Sequence, residues 1–583
     1  MKFGGIHVNG AKSVFDFFSE KDPVVSRRAF LEGCGAALAI MSMPINLTKV
    51  FAADAFSAQP VHRTLTWSLD PRMTQSFAWT TAINDAAAGS LQVVRAAEYK
   101  KSSWKKATNI DAVTENFKTN TDTVLLHSVT ATGLQAGETY FYRLGSEGDW
   151  SEPQQFTTEA ETAKKVKFLV FGDSQSGKAS NPEYGPWGKT IRNAYEANPD
   201  AAFFMNVGDL VEIGQDYAHW KNWYTAAQDV IEKLPAMAVP GNHETYDVAD
   251  ESHSTLPVYF TKQLHLPMNG PKELAGQVYS FDYGNVHFAV LDSQEEEEGS
   301  YVASMLEKEA AWLAKDLAAT KQPWKLVFFH RTPYYNKATR ANENVKKAFA
   351  GVIDQYHVDL VINGHDHGYS RTYPIYQDAF VDSPAKGTVY LVTGRSGNKY
   401  YTDLSNKVWD AFFHDPQAEP NYVVIEAEGD ILTVRGVTQS GDLIDTYRID
   451  KKKGIDTPQT SLPERCQQTL MAVWGDLLQT PLLDVPPQEI EGSWYVPLES
   501  LLDFAGGTFT RTQEDQVQAV YKKTTALLQK DAAKAMVNGQ EHPLQHPLRS
   551  YHGASLLSTA DVQQIFGFSS KYDAALNILF LVR

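Results

Sequence analysis

The chain has 583 residues, 43% of them hydrophobic, a formal charge of −17 and two cysteines. That length can supply several hydrophobic cores. The negative charge argues against nucleic acid or anionic membrane as partners, and the cysteine count excludes a disulfide-built fold.

In chain order, the first feature is Ser26-Arg27-Arg28-Ala29-Phe30-Leu31, a twin-arginine pattern of the kind read by the Tat exporter. A modest apolar stretch from Cys34 to Ile45 follows, then small residues at Ala52, Ala53 and Ala55 that suit a signal peptidase. The stretch is too short and interrupted to span a bilayer, so no transmembrane segment is expected. The expectation is a signal peptide over 1–55 and export by the Tat route to the periplasm, cell surface or medium. Its removal leaves Cys466 alone, which rules out an intramolecular disulfide in the mature chain.

Residues 58–160 read as an all-β module. Side chains alternate in Ser76-Phe77-Ala78-Trp79-Thr80-Thr81 and in Thr139-Tyr140-Phe141-Tyr142-Arg143-Leu144, with a turn over Leu134–Glu138 between them.

Between Phe168 and His367, six apolar runs break off into residues that bind metals or move protons. They end at Phe171-Gly172-Asp173, Val207-Gly208-Asp209, Pro240-Gly241-Asn242-His243-Glu244, Val290-Leu291-Asp292, Phe328-Phe329-His330 and Asn363-Gly364-His365-Asp366-His367. Runs such as Val166–Phe171 and Val358–Ile362 read as central strands buried on both faces. Ligands in layered α/β folds gather beyond the carboxyl ends of strands, so one sheet rim would collect these side chains. Carboxylates suit hard ions, imidazoles suit zinc and iron, and one aspartate can bridge two ions. A Gly-Asp alone is ordinarily a turn, and a lone histidine is ordinarily packing. Five of these endings in order, all but the Asp292 run, supply the parts of a two-metal hydrolytic centre.

Further along, Glu295-Glu296-Glu297-Glu298 reads as a solvated loop and Glu307–Ala319 as a covering helix. Arg331 and Arg371 are candidates for meeting phosphate oxygens, and Tyr335 and Tyr369 either shape a substrate pocket or pack. Lys451-Lys452-Lys453-Gly454 and the stretch to Pro463 read as a linker, and residues 468–583 as a separate domain without a metal-ligand cluster.

Residues 165–450 resemble a calcineurin-like metallophosphoesterase, with the purple acid phosphatases as the nearest branch. Tyr279–Phe288, His330-Arg331-Thr332-Pro333-Tyr334-Tyr335 and Gly364-His365-Asp366-His367 carry the likeness beside the strand ends. The resemblance implies a sandwich of two mixed sheets flanked by helices around two divalent or trivalent ions (Fe, Zn or Mn, identity open). It implies Asp209 as the bridge, Asp173 and His367 on the first metal, and Asn242, His330 and His365 on the second. His243 would steady the transition state or protonate the leaving alcohol, with a metal-bound hydroxide as the attacking group.

The first 58–160 module resembles the fibronectin III-like domain that precedes such catalytic domains. Residues 468–583, through Trp494–Glu499 and Met536–Gln540, resemble the small N-terminal domain of copper amine oxidases. That last likeness implies neither copper nor amine oxidation, and suggests a module for attachment to the cell envelope.

The chain departs from the family in two places. Gln175 stands where most metallophosphoesterases carry a histidine, and Glu212 where purple acid phosphatases carry their coloured tyrosine ligand. Each either adds an oxygen to the first metal or stays one layer out. The loss favours manganese, ferrous iron, magnesium or calcium there, and predicts a protein that is not purple. The expected fold is multidomain, an α/β sandwich between an all-β and a small α+β domain. The expected function is an exported phosphoesterase acting on small phosphate monoesters. A phosphodiesterase or nucleotidase with the same centre, or an attachment protein whose catalytic domain has decayed, stand as alternatives.

Overall fold

A computed structural model of the chain describes residues 59–83, 89–248, 253–337, 340, 342–458, 469–513 and 515–583. The chain divides into Met1–Ala55 and Phe56–Arg583. The expected export signal and Cys466 lie outside the described residues. Among the described residues, no helix is long and apolar enough to cross a membrane.

The first module pairs two four-stranded antiparallel sheets. One runs Val61–Thr66, Gln75–Ala82, Thr123–Ala131, Val113–Lys118, and the other Thr108–Asp111, Ser90–Arg95, Thr139–Gly145, Gln154–Thr157. The alternation read from the sequence puts Phe77, Trp79, Tyr140, Tyr142 and Leu144 into the core between them. Glu232 of the next domain fastens this module. Its carboxylate takes Arg63 and Gln154 Nε2 (2.9 Å), and its carbonyl takes the Tyr142 hydroxyl at 2.5 Å.

The middle of the chain forms two seven-stranded mixed sheets. The first runs Ala236–Val239, Phe204–Val207, Lys165–Phe171, Asn421–Glu428, Ile431–Thr438, Leu443–Asp450, Ile455–Pro458. Its first three strands are parallel, so their carboxyl ends share one edge. The second runs Tyr279–Tyr283, Val286–Val290, Trp324–Arg331, Leu360–Gly364, Val389–Thr393, Tyr369–Thr372, Asp410–His414, with a parallel centre. Phe168, Phe203, Phe288 and Phe328 interlock between the sheets in the largest core. Helices Gly185–Ala197 and Tyr217–Ile231 bury Trp187, Trp220 and Trp223 against the first sheet. Helices Met305–Ala319 and Glu343–Tyr356 bury Leu313, Leu317, Phe349 and Ile353 against the second.

Two readings of the sequence need correction. The expected linker begins later, because Ile455–Pro458 pairs with Leu443–Asp450 as an edge strand. The four glutamates are not a solvated loop: they form a short helix, Glu298 is fully buried, and Arg331 holds Glu296 and Glu297.

The C-terminal module is mostly sheet, with two short helices, Leu498–Ala505 and Thr559–Phe566. Its Leu478, Ala472 and Ile578 belong to the same apolar cluster as Trp409 and Phe349 of the catalytic domain. Asp378 clasps the junction by taking both the Lys346 ammonium and the Leu478 N–H.

A cavity of about 600 Å³ lies where the first module meets the second sheet, lined by Asp70, Arg72, Glu159, Asp282, His287 and Asp316. It contains none of the strand-end residues. His287 sits there between Asp282 and Asp316, 2.6 Å from each. Burial pulls its pKa down, but the two carboxylates outweigh it and push it up to about 9. A histidine raised in the folded state stabilises fully below its unfolded pKa near 6.5 and loses that contribution as pH rises through 9. Urea unfolding of wild type and His287→Asn at pH 6 and pH 10 tests this. The difference between the two proteins should shrink by on the order of 2 kcal/mol at the higher pH.

Candidate metal centre

Four of the candidate metal ligands leave the sheets through tight, left-handed turns. Asp173, Asp209, His365 and His367 all have positive φ, between 50° and 76°. Such backbones cost about 1 kcal/mol or more each, and they persist where surrounding structure holds them. Gly208, at φ +90°, shows why the turn needs glycine. A Cβ there would lie 2.4 Å from His330 Nδ1 and 2.9 Å from Gly241 Cα.

Two overlapping groups result. Asp209, His330 and His365 bring ligand atoms within 4.8 Å of one another, and so do Asp173, Asp209 and His367. Asp209 belongs to both. His330 donates from Nδ1 to the Val207 carbonyl at 2.7 Å, which leaves Nε2 3.2 Å from Asp209 Oδ2. His367 donates from Nδ1 to the Lys399 carbonyl at 3.0 Å, which leaves Nε2 3.1 Å from Asp173 Oδ1. Each imidazole is thus oriented by a backbone acceptor behind it.

The group fits metal ions by an independent sign. His365 Nε2, Asn242 Oδ1 and Gln175 Oε1 are buried without a hydrogen-bond partner. Buried polar atoms are ordinarily paired, so these three are candidate ligand atoms. Asn242 is aimed from behind, its amide donating to Tyr246 Oη at 2.6 Å. Nitrogen and oxygen donors in this mixture suit iron, zinc or manganese.

The carboxylates make the cluster a place that favours positive charge. Burial pushes His365 well below the ordinary histidine range, with Arg340 and Arg331 adding to it, so its ring is neutral and able to ligate. Burial would raise Asp209, but His330 and His243 beside it hold it well below the usual carboxylate range. His330 is pushed up to about 9, because Asp209 and Asp173 outweigh its burial.

Gln175 lies inside the first group, its amide 3.1 Å from Asp209 Oδ2 and 3.5 Å from His367 Nε2. Glu212 lies beside it. Its carboxylate takes the Gly177 N–H at 2.7 Å and the Lys399 ammonium at 2.9 Å. His243 stands at the rim, donating from Nδ1 to the Glu212 carbonyl at 2.6 Å, with Nε2 3.9 Å from Asp209 Oδ2.

The candidate substrate residues are placed elsewhere. Arg371 is buried on Asp445 at 2.9 Å and lies over the Tyr447 ring, and Tyr369 donates to the same aspartate. The left-handed turn at His367 sends the following strand into the core, so both side chains hold the fold together. Tyr335 packs on Trp409 and lines the junction with the C-terminal module. Arg331 is nearer the centre but is committed to Gln294, Glu296 and Glu297.

Reading the sequence missed two residues. Glu244 closes the Gly-Asn-His-Glu tetrapeptide, and its carboxylate accepts N–H groups from Asp209, Leu210, Val211 and Gly241 at 2.7–3.2 Å. Lys399 meets both His243 and Glu212. The signal for it was a seventh strand end, Val389–Thr393 breaking into Gly394.

With this geometry in place, comparison with known proteins defines the modules. Residues 166–369 match the calcineurin-like phosphoesterase family, residues 60–158 the N-terminal domain of purple acid phosphatases, and residues 478–581 the copper amine oxidase N-terminal domain. The chain is 28% identical over 299 residues to acid phosphatase type 7 of Mus musculus, covering 47% of this chain and 64% of that protein. It is 27% identical over 310 residues to purple acid phosphatase 15 of Arabidopsis thaliana, covering 47% and 54%. The matches thus span less than two thirds of either relative. A purple acid phosphatase from yellow lupin (Lupinus luteus) seeds superposes with a TM-score of 0.55 at 20% identity, over 70% of this chain and 75% of that one. The chain therefore carries a calcineurin-like phosphoesterase domain with the purple acid phosphatase fold.

Glu244→Gln tests the scaffold. An amide cannot accept four N–H groups as a carboxylate does, so the protein should lose on the order of 2 kcal/mol and bind less metal. Denaturant midpoints and elemental analysis of the purified variant read both.

Proposed function

We propose that this protein is an exported, dinuclear metal-dependent phosphoesterase acting on small phosphate monoesters. The observation that carries the reading is the pair of Asp/His groups sharing Asp209, with three buried ligand atoms otherwise unpartnered. Asp173, Asp209, His367 and Gln175 would hold one ion, and Asp209, Asn242, His330 and His365 the other. Two such ions supply charge neutralisation at a phosphoryl group and activation of water at neutral pH.

The chain's own residues have assignable parts in this reaction. Asp209 is fixed by the His243 N–H at 3.0 Å, and Asp173 by the His365 N–H at 3.1 Å, so both carboxylates are preorganised. His243 Nε2 borders the cluster and accepts from the Lys399 ammonium at 2.8 Å, so a proton for a leaving-group oxygen would reach it from Lys399 or solvent. Glu212, tied to Gly177 and Lys399, shapes the rim and leaves the coordination to Gln175. With no tyrosine at that place, the loaded protein should show no visible charge-transfer band.

The likeness to acid phosphatases supports the monoester reading. Retention of every second-group ligand speaks against a decayed domain. The twin-arginine segment supports Tat export, and the C-terminal module is assigned to the cell envelope on its likeness alone.

Purified protein loaded with Mn, Fe or Zn should hydrolyse p-nitrophenyl phosphate faster than its bis ester. His243→Ala should lower kcat by about 10²-fold or more. Absence of turnover of both esters with every metal would refute the reading. In a Tat-competent bacterial host, changing Arg27 and Arg28 together to Lys should leave the protein in the cytoplasm. Normal export of that variant would remove the Tat assignment.

A further inference from the structure

The seventh strand end carries an inference beyond the metal ligands. Strand Val389–Thr393 runs parallel beside Leu360–Gly364, the strand that delivers His365 and His367. Its following loop, Gly394 to Lys399, is stitched to the Asp173 loop by successive backbone bonds. Ser396 N donates to Gly172 O at 2.7 Å, Gly397 N to Asp173 O at 3.0 Å, and Asn398 N to Gln175 O at 3.1 Å. A Cβ on Gly397 would meet the Ser174 and Gln175 backbone at 2.4 Å, so the two loops touch without a gap.

Lys399 ends this ladder. Its carbonyl orients His367, and its ammonium lies 2.8 Å from His243 Nε2 and 2.9 Å from Glu212 Oε1. These two contacts use two of the three N–H donors of an ammonium. The side chain keeps 21% of its surface exposed, so the charge borders solvent at the rim. Among the described residues, Arg331 is committed to Glu296 and Glu297 and Arg340 to Asp366 and the His365 carbonyl, while Lys337 lies over the Tyr401 ring. On a chain of charge −17, a cation fixed against His243 is a specific placement.

We propose that Lys399 is the substrate-binding cation of this site, its ammonium meeting a non-bridging oxygen of the phosphate group beside His243. The proposal rests on the phosphoesterase reading and deepens it. Glu212 then serves as a tether that fixes the ammonium without sealing it. A fixed point charge at this corner favours a dianionic phosphate monoester over a monoanionic diester.

The test is direct binding of inorganic phosphate to the full-length, Mn-loaded protein by calorimetry, with metal content measured for each sample. Lys399→Gln should weaken phosphate binding about tenfold or more, while Lys399→Arg weakens it by less than about threefold. Metal stoichiometry should match wild type in both. In turnover, Lys399→Gln should raise KM for p-nitrophenyl phosphate more than for the bis ester. Wild-type phosphate affinity in Lys399→Gln, or no phosphate binding by wild type, would overturn the proposal. So would equal weakening in Gln and Arg variants with loss of metal, which would make Lys399 a support for the loop. Lys399-dependent phosphate binding without hydrolysis of either ester would uphold this assignment and overturn the hydrolase reading.

Discussion

Everything at the centre depends on one buried carboxylate that is not itself a ligand. Glu244 accepts four backbone N–H groups, three from the Asp209 loop and one from the Gly241 loop. Those amides belong to a turn whose Asp209 has positive φ and whose strand has already ended. Without an acceptor they would be buried and unpaired, and the turn would relax toward ordinary backbone. By holding the turn, Glu244 places the Asp209 carboxylate where both ligand groups meet. The carboxyl oxygens of one glutamate therefore set the position of another residue's oxygens.

The strand-end residues were legible because each piece of evidence is local. An apolar run of five or six residues fixes a buried strand, a glycine fixes the turn, and the next side chain must emerge at the sheet edge. That is why Asp173, Asp209, His330, His365 and His367 come close together. What was illegible depends on residues far apart in the chain. Glu244 bonds amides 33–35 positions away, and Lys399 bonds His243 across 156. The glutamate run read as solvated because nothing nearby neutralises it, yet Arg331 arrives from the end of another strand. Tyr369 and Arg371 failed as pocket residues for the converse reason. They are close to His367 in sequence, but the chain reverses at that residue and carries them into the sheet.

Both flanking modules share apolar core with the catalytic domain. The first module buries Trp67, Phe117, Val124 and Leu126 in the catalytic domain's core, beside a polar point where Arg63, Tyr142 and Gln154 converge on Glu232. The C-terminal module is held by shared apolar surface, with a buried lysine–aspartate clasp at its edge. In both, shared apolar surface couples the modules into one folding unit, and the polar contacts at its edge fix their orientation. The sequence showed the modules by composition but carried no signal for the way each is joined.

Sharing a core has a consequence for how such a chain can be rearranged. Leu478, Ala472 and Ile578 fill space that Trp409 and Phe349 also line, so neither partner has a finished surface at that boundary. Cutting the chain there would leave a greasy scar on the catalytic half, and a foreign module in the same place would need a matching contour. The C-terminal part is therefore a graft, whose sequence must drift in step with that of its host.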